Sequence, residues 1–136
     1  MSKLFSLLLV VSILLISNSV QAGFITKYSD WRDLNASEKR AFVMGVYDTN
    51  HSSTGNRTKD ETANIFGIDV CGSSLNLGSA MLADAVDAAY LRNPQRWGNM
   101  GVVMVHGVLH HMCLNYINNF RQKFKLKPLK PWENWK

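Results

Sequence analysis

Two cysteines, Cys71 and Cys113, lie 42 residues apart, and no other feature constrains the fold of this 136-residue chain as strongly. What their thiols can do depends on the compartment, which the N-terminus addresses. Lys3 supplies a positive start, and Leu4 to Ile16 form an apolar run broken only by Ser6 and Ser12. Ser17-Asn18-Ser19 and then Val20-Gln21-Ala22 come next, with small residues at the positions that a signal peptidase reads. Residues 1–22 therefore read as a secretory signal peptide, too short and too weakly flanked for a good membrane span. No cysteine follows the run, which argues against a lipoprotein anchor, and no second long apolar segment follows Ala22, so no stable membrane insertion is expected. Export from a bacterial cytoplasm places the chain in the periplasm. There an even pair of cysteines in a small domain is expected to form a Cys71–Cys113 disulfide. In the chain-entropy model a loop of this length contributes roughly 4 kcal/mol. That is large beside the ~5–15 kcal/mol of net stability typical of one domain.

Helical periodicity dominates the rest of the chain. In Tyr28 to Leu34, Trp31 and Leu34 are spaced to bury against a body. Asn35 with Glu38 forms a capping-box pattern ahead of a helix carrying Ala41, Phe42, Val43, Met44, Val46 and Tyr47. Residues 50–62, NHSSTGNRTKDET, are almost entirely polar and read as an exposed loop. Three N-x-[ST] patterns, at Asn35, Asn50 and Asn56, read as chance occurrences in a bacterial protein. Cys71-Gly-Ser-Ser reads as the approach to the next helix, whose apolar face runs from Leu77 through Met81, Leu82, Ala85, Val86 and Ala89 to Leu91. Asp84 and Asp87 mark its solvated side. Asn93-Pro94 closes that helix and opens the last one, with Asn93 as cap, which continues at three- and four-residue steps from Trp97 to about Phe120. Only Ile65 to Val70 offers a hint of a strand. The expectation is an all-α domain of about four helices over residues 23–120, clamped by one disulfide.

The last helix contains His106-Gly-Val-Leu-His-His-Met-Cys113. At about 100° per residue, His106, His110 and Cys113 share one face, which is ligand-like geometry. A zincin-type site would need a glutamate directly after the first histidine, and Gly107 stands there. Cys113, paired with Cys71, has no thiolate to offer. His106 and His110 are therefore expected to be a partly buried pair beside the disulfide, able to titrate near pH 6, with a metal site as the weaker alternative. No cofactor is implied, and no nucleophile motif or phosphate loop points to an enzyme.

Charge is concentrated at the C-terminus. Residues 121–136 carry Arg121, Lys123, Lys125, Lys127, Lys130 and Lys136 against Glu133, along with Trp132 and Trp135. Such a tail could touch an anionic membrane or an acidic partner, but its plainest reading is a solvated segment that aids solubility. Export argues against nucleic acid.

The segments EKRAFVMGVYD, AYLRNPQRW and VHGVLHHMC, in this order around Cys71, resemble the Tai-type immunity proteins, small periplasmic proteins that protect bacteria against amidase toxins of type VI secretion. Gly45, Cys71, Tyr90, Leu91, Pro94 and Cys113 fall on the landmarks of that family. Met112 and Gly72-Ser73-Ser74 stand where family members often have prolines. The resemblance, over roughly residues 37–113, implies an all-helical, disulfide-linked and frequently dimeric domain that binds an enzyme and occludes its active site. The expected partner is a protein, such as a peptidoglycan amidase toxin, and the expected contacts are Asn50, His51 and Arg57 in the polar loop. An acid-stress periplasmic chaperone, clamped by a disulfide and ending in lysines, is the alternative.

Overall fold

The computed structural model describes residues 24–50 and 55–131, and among these it contains five α-helices, one 3₁₀ turn and no strand. The signal-peptide reading, His51 and the two C-terminal tryptophans lie outside the described residues. The helices are α1 (Tyr28–Arg32), α2 (Ala36–Thr49), α3 (Lys59–Leu75), α4 (Ser79–Arg92) and α5 (Gly101–Lys123), with the 3₁₀ turn at Pro94–Arg96. The all-α, disulfide-clamped architecture is as the sequence implies. No single helix among the described residues is long and apolar enough to cross a membrane.

Local chemistry sets the helix ends. Asn35 Oδ1 accepts from the amides of Ser37 and Glu38, while the Glu38 carboxylate accepts from the Asn35 amide at 2.8 Å. Two donors that a helix start leaves orphaned are thereby satisfied. Thr58 and Glu61 repeat the device at the start of α3, with Thr58 Oγ1 accepting from Glu61 N at 3.2 Å and Glu61 Oε2 accepting from Thr58 N at 2.8 Å. This box corrects the sequence reading at its weakest point. The polar stretch 50–62 is not one loop, because its last four residues, Lys59 to Thr62, are the first turn of α3. Ile65 to Val70 is helical, and Cys71 lies inside α3 rather than ahead of a helix. Asn93 differs too. Its Nδ2 donates back to Ala89 O at 2.8 Å, and its side chain caps no helix start. Pro94 therefore opens only the short 3₁₀ turn, and the last helix starts at Gly101.

The core has two sides that meet on α5, which contacts α2, α3 and α4. On one side lie Trp31, Val43, Leu82, Val86 and Tyr90. Trp31 is fully buried and meets Phe42 edge-on at 5.9 Å, while Tyr28 packs on both Tyr90 and Trp97 at 5.1 Å. Backbone bonds from Tyr28 N to Trp97 O and from Gly101 N to Ile25 O fasten the N-terminal segment over this aromatic group. The polar tips of Trp31, Tyr90 and Trp97 find partners, as buried aromatics require. The Trp31 indole donates to Asp87 at 2.7 Å, the Tyr90 hydroxyl to Asn99 O at 2.9 Å, and the Trp97 indole to Tyr90 O at 3.0 Å.

The other side is the antiparallel seam of α3 on α5, the most extensive helix contact of the fold. Ala63, Gly67 and Cys71 recur every four residues along α3, and all three are buried. A Cβ placed on Gly67 would fall 2.4 Å from Ile117 Cα and 2.7 Å from Ile117 N, so only glycine lets the backbones approach this closely. One turn away, the Cys71–Cys113 disulfide joins the two helices with Cα atoms 5.4 Å apart. Gly45, by contrast, has nothing within 4 Å of where its Cβ would be, so this landmark of the resemblance is not a packing glycine here.

Candidate functional site

The connection between α2 and α3 is held at both ends. On the α2 side, Thr49 Oγ1 and Asn50 Nδ2 both donate to Val46 O, at 2.7 and 3.3 Å. On the α3 side stands the Thr58–Glu61 capping box, whose hydrogen bonds from Thr58 hold the Glu61 carboxyl below its usual pKa. Asn50 and Arg57, two of the expected contact residues, are half-buried at these two ends. The structure places them at the two ends of the connection.

The histidines fall on different surfaces of α5. His110 is half-buried, and its Nδ1 is buried with no hydrogen-bond partner among the described residues. Burial lowers its pKa, and the neighbouring His111 adds to the effect. His106, one turn earlier, is more exposed, yet partial desolvation of its ring lowers its pKa as well. The pair thus favours the neutral form at neutral pH. Cys113 Sγ is bonded to Cys71 and cannot join them as a ligand, and no three His, Cys, Asp or Glu side chains gather into a metal-holding group among the described residues. His111 turns away to the rim of a depression of about 300 Å³ between α4 and α5, whose floor includes Ala85, Ala88, Ala89 and Val108 and whose edge carries Arg92.

Several structural side chains escape a sequence reading. Asp87 is not free solvated surface, because both Trp31 Nε1 and Lys39 Nζ donate to its Oδ1, at 2.7 and 2.8 Å. Asp84 is exposed, as expected. Arg121 is buried inside α5. Its Nη1 donates to Asp60 at 2.6 Å and its Nε to Lys127 O at 2.7 Å, which ties the start of α3 to the segment after α5. Asn118 binds the same segment through both its amide atoms, accepting from Leu129 N at 2.7 Å and donating to Leu129 O at 3.0 Å. Leu129 packs on the core. Residues 124–131 therefore form a strap folded back along α5 rather than a detached tail. The four-residue spacing of Ala63, Gly67 and Cys71 is a sequence signal that could have revealed the seam; no comparable pattern announces Asn118.

No protein-family model matches the chain, and neither a curated protein nor a solved structure matches it. What the fold and its surface define is a disulfide-clamped domain of five helices, with a connection fixed at both ends and a basic C-terminal strap.

Proposed function

We propose that the chain is an exported, non-enzymatic binding protein similar in role to the type VI secretion amidase immunity proteins, acting in the periplasm after removal of residues 1–22. Its partner is an enzyme, such as a peptidoglycan amidase, whose active site it covers. The observation that supports this most is the connection between α2 and α3. Capping hydrogen bonds fix both of its ends, and α3 is locked to α5 by the disulfide and the Gly67 contact. The described residues at these two ends are thereby held before a partner binds, which lowers their own ordering cost. Asn50, His51 and Arg57 are the contacts this reading assigns, with a homodimer as the assembly.

The test is co-expression of the exported chain with amidase toxins encoded beside it. Rescue from lysis and a stable complex are expected, and substituting Asn50 and Arg57 together by alanine is expected to weaken the complex without unfolding the chain. Absence of both rescue and complex with every such enzyme sinks the reading. An acid-stress chaperone remains the second reading, supported by the large apolar side chains Leu91, at the end of α4, and Trp97 and Met100, between α4 and α5, all of which are exposed. Suppression of client aggregation confined to low pH would select it.

A further inference from the structure

We propose that the strap after α5 is a docking surface for an anionic phospholipid membrane, distinct from the connection that meets a protein partner. Between Asn118 and Pro131 the chain carries four lysines, one arginine and no carboxylate. The arginine, Arg121, is buried and neutralised by Asp60. Lys123, Lys125, Lys127 and Lys130 are all exposed, and none forms an ion pair with a described residue. The intervening Phe124, Leu126 and Leu129 are the less exposed residues of the segment, so the strap presents charge outward and apolar groups inward.

Three features distinguish this arrangement from a solvated tail. The backbone is held in place: Arg121 grips Lys127 O, and Asn118 grips Leu129 at both its amide and its carbonyl. A fixed array of like charges repels itself, a cost that an anionic surface relieves. Second, Lys125 occupies the left-handed region, with φ 58°, at the turn that closes α5. Its N–H bonds to Gln122 O and Leu126 N–H to Arg121 O, the pattern of a Schellman motif, where glycine is the favoured residue. A lysine stands there against the steric preference of an L-residue and adds a cation to the strap at a fixed turn. Third, a depression of about 430 Å³ opens beside Lys125, lined by Asn118, Asn119, Gln122, Leu126 and Pro128. The side-chain amides of Asn119 and Gln122 and the Lys125 ammonium around a shallow hollow match a phosphodiester headgroup. The tryptophans at 132 and 135, next along the sequence, are of the residue type that settles at bilayer interfaces. An acidic protein would satisfy the charge alone; the hollow beside Lys125 favours the membrane.

The test is co-sedimentation of the chain from Gly23 onward with vesicles of equimolar phosphatidylglycerol and phosphatidylcholine, beside vesicles of phosphatidylcholine alone. Binding is expected only with phosphatidylglycerol, and it should fall steeply as salt is added. Each lysine near an anionic surface changes binding about fivefold, so a variant with Lys123, Lys125, Lys127 and Lys130 all changed to Gln should lose several hundredfold. These side chains are exposed, and circular dichroism of the variant should match that of the parent. Equal binding to phosphatidylcholine, salt-insensitive binding, or undiminished binding by the fourfold variant overturns the proposal. Retention on polyglutamate with no vesicle binding overturns it too, and assigns the strap to an acidic protein.

Discussion

On one side of the core, Tyr28, Trp31, Phe42, Tyr90 and Trp97 meet ring against ring. On the other, Ala63, Gly67 and Cys71 let α3 lie on α5 with almost no side chain between them. The aromatic side is held by large apolar surfaces, and the polar tips of Trp31, Tyr90 and Trp97 each have a named acceptor. The seam buries far less side chain per residue, and it substitutes close backbone approach and a covalent bond. Large side chains tolerate small shifts, because rings can tilt and slide against one another. A seam with backbone at its contact point cannot adjust, and α3 is thereby fixed on α5.

Trp31→Ala is the strongest way to break the first side. It removes a fully buried indole and withdraws a hydrogen-bond donor from Asp87. The expected loss lies toward the upper end of about 3–5 kcal/mol, read from chemical denaturation. Trp31→Phe separates the contributions, since it keeps most of the ring packing and loses the bond to Asp87. If the two variants were equally unstable, the hydrogen bond rather than the packing would hold this side together.

Removing the disulfide with Cys71→Ser and Cys113→Ser together is expected to lower stability by roughly 4 kcal/mol. Helix content should survive, because the Gly67–Ile117 contact and the Arg121–Asp60 pair still align the seam. Gly67→Ala tests that contact directly. The added methyl must displace the Ile117 backbone, so a loss of about 2–3 kcal/mol is expected. Because the clash is with Cα and N, Ile117→Ala should not rescue it. Rescue would mean that the side chain alone sets the spacing.

Legibility in the sequence divides along the same line. The aromatic side announces itself, because Trp31, Val43, Val86 and Tyr90 sit at helical spacings that large apolar residues make obvious. The Asn35–Glu38 capping box is equally plain. The seam is hidden for a physical reason. Close helix packing demands small residues, and Gly67, Gly72, Ser73 and Ser74 carry the same signature as a chain that does not form a helix. The capping box at Thr58 is present in the sequence, yet the polar first turn Lys59 to Thr62 blends into the polar residues before it. The connection's two fixed ends and the strap depend on bonds from Asn50, Asn118 and Arg121 to backbone groups, and such bonds leave no periodic trace.

His106 and His110 of α5 offer a gentler probe of that helix. Both rings have pKa values lowered from 6.5 by desolvation. A lowered histidine pKa means that the unfolded chain takes up protons first as pH falls. Its contribution is therefore fully present above about 6.5 and is lost as pH drops through the folded value. Stability measured against pH should decline below about 6.5, and His106→Gln and His110→Gln should each flatten that decline. A profile unchanged by both substitutions would assign the acid sensitivity to carboxylates instead.

The smallest expected effect has the opposite sign. Lys125 and Asn76 both close a helix in the left-handed region, with φ 58° and 49°. Asparagine adopts that conformation with little penalty, and lysine does not. Lys125→Gly should therefore raise stability by about 1 kcal/mol, whereas Asn76→Gly should change it by much less. Differential scanning calorimetry of the two variants resolves this difference. The same Lys125→Gly chain, more stable than its parent, should bind phosphatidylglycerol vesicles about fivefold more weakly. A gain in stability together with a loss in membrane affinity is the outcome that a charge kept for binding requires. A gain with unchanged affinity would leave the strain at Lys125 without a functional reason.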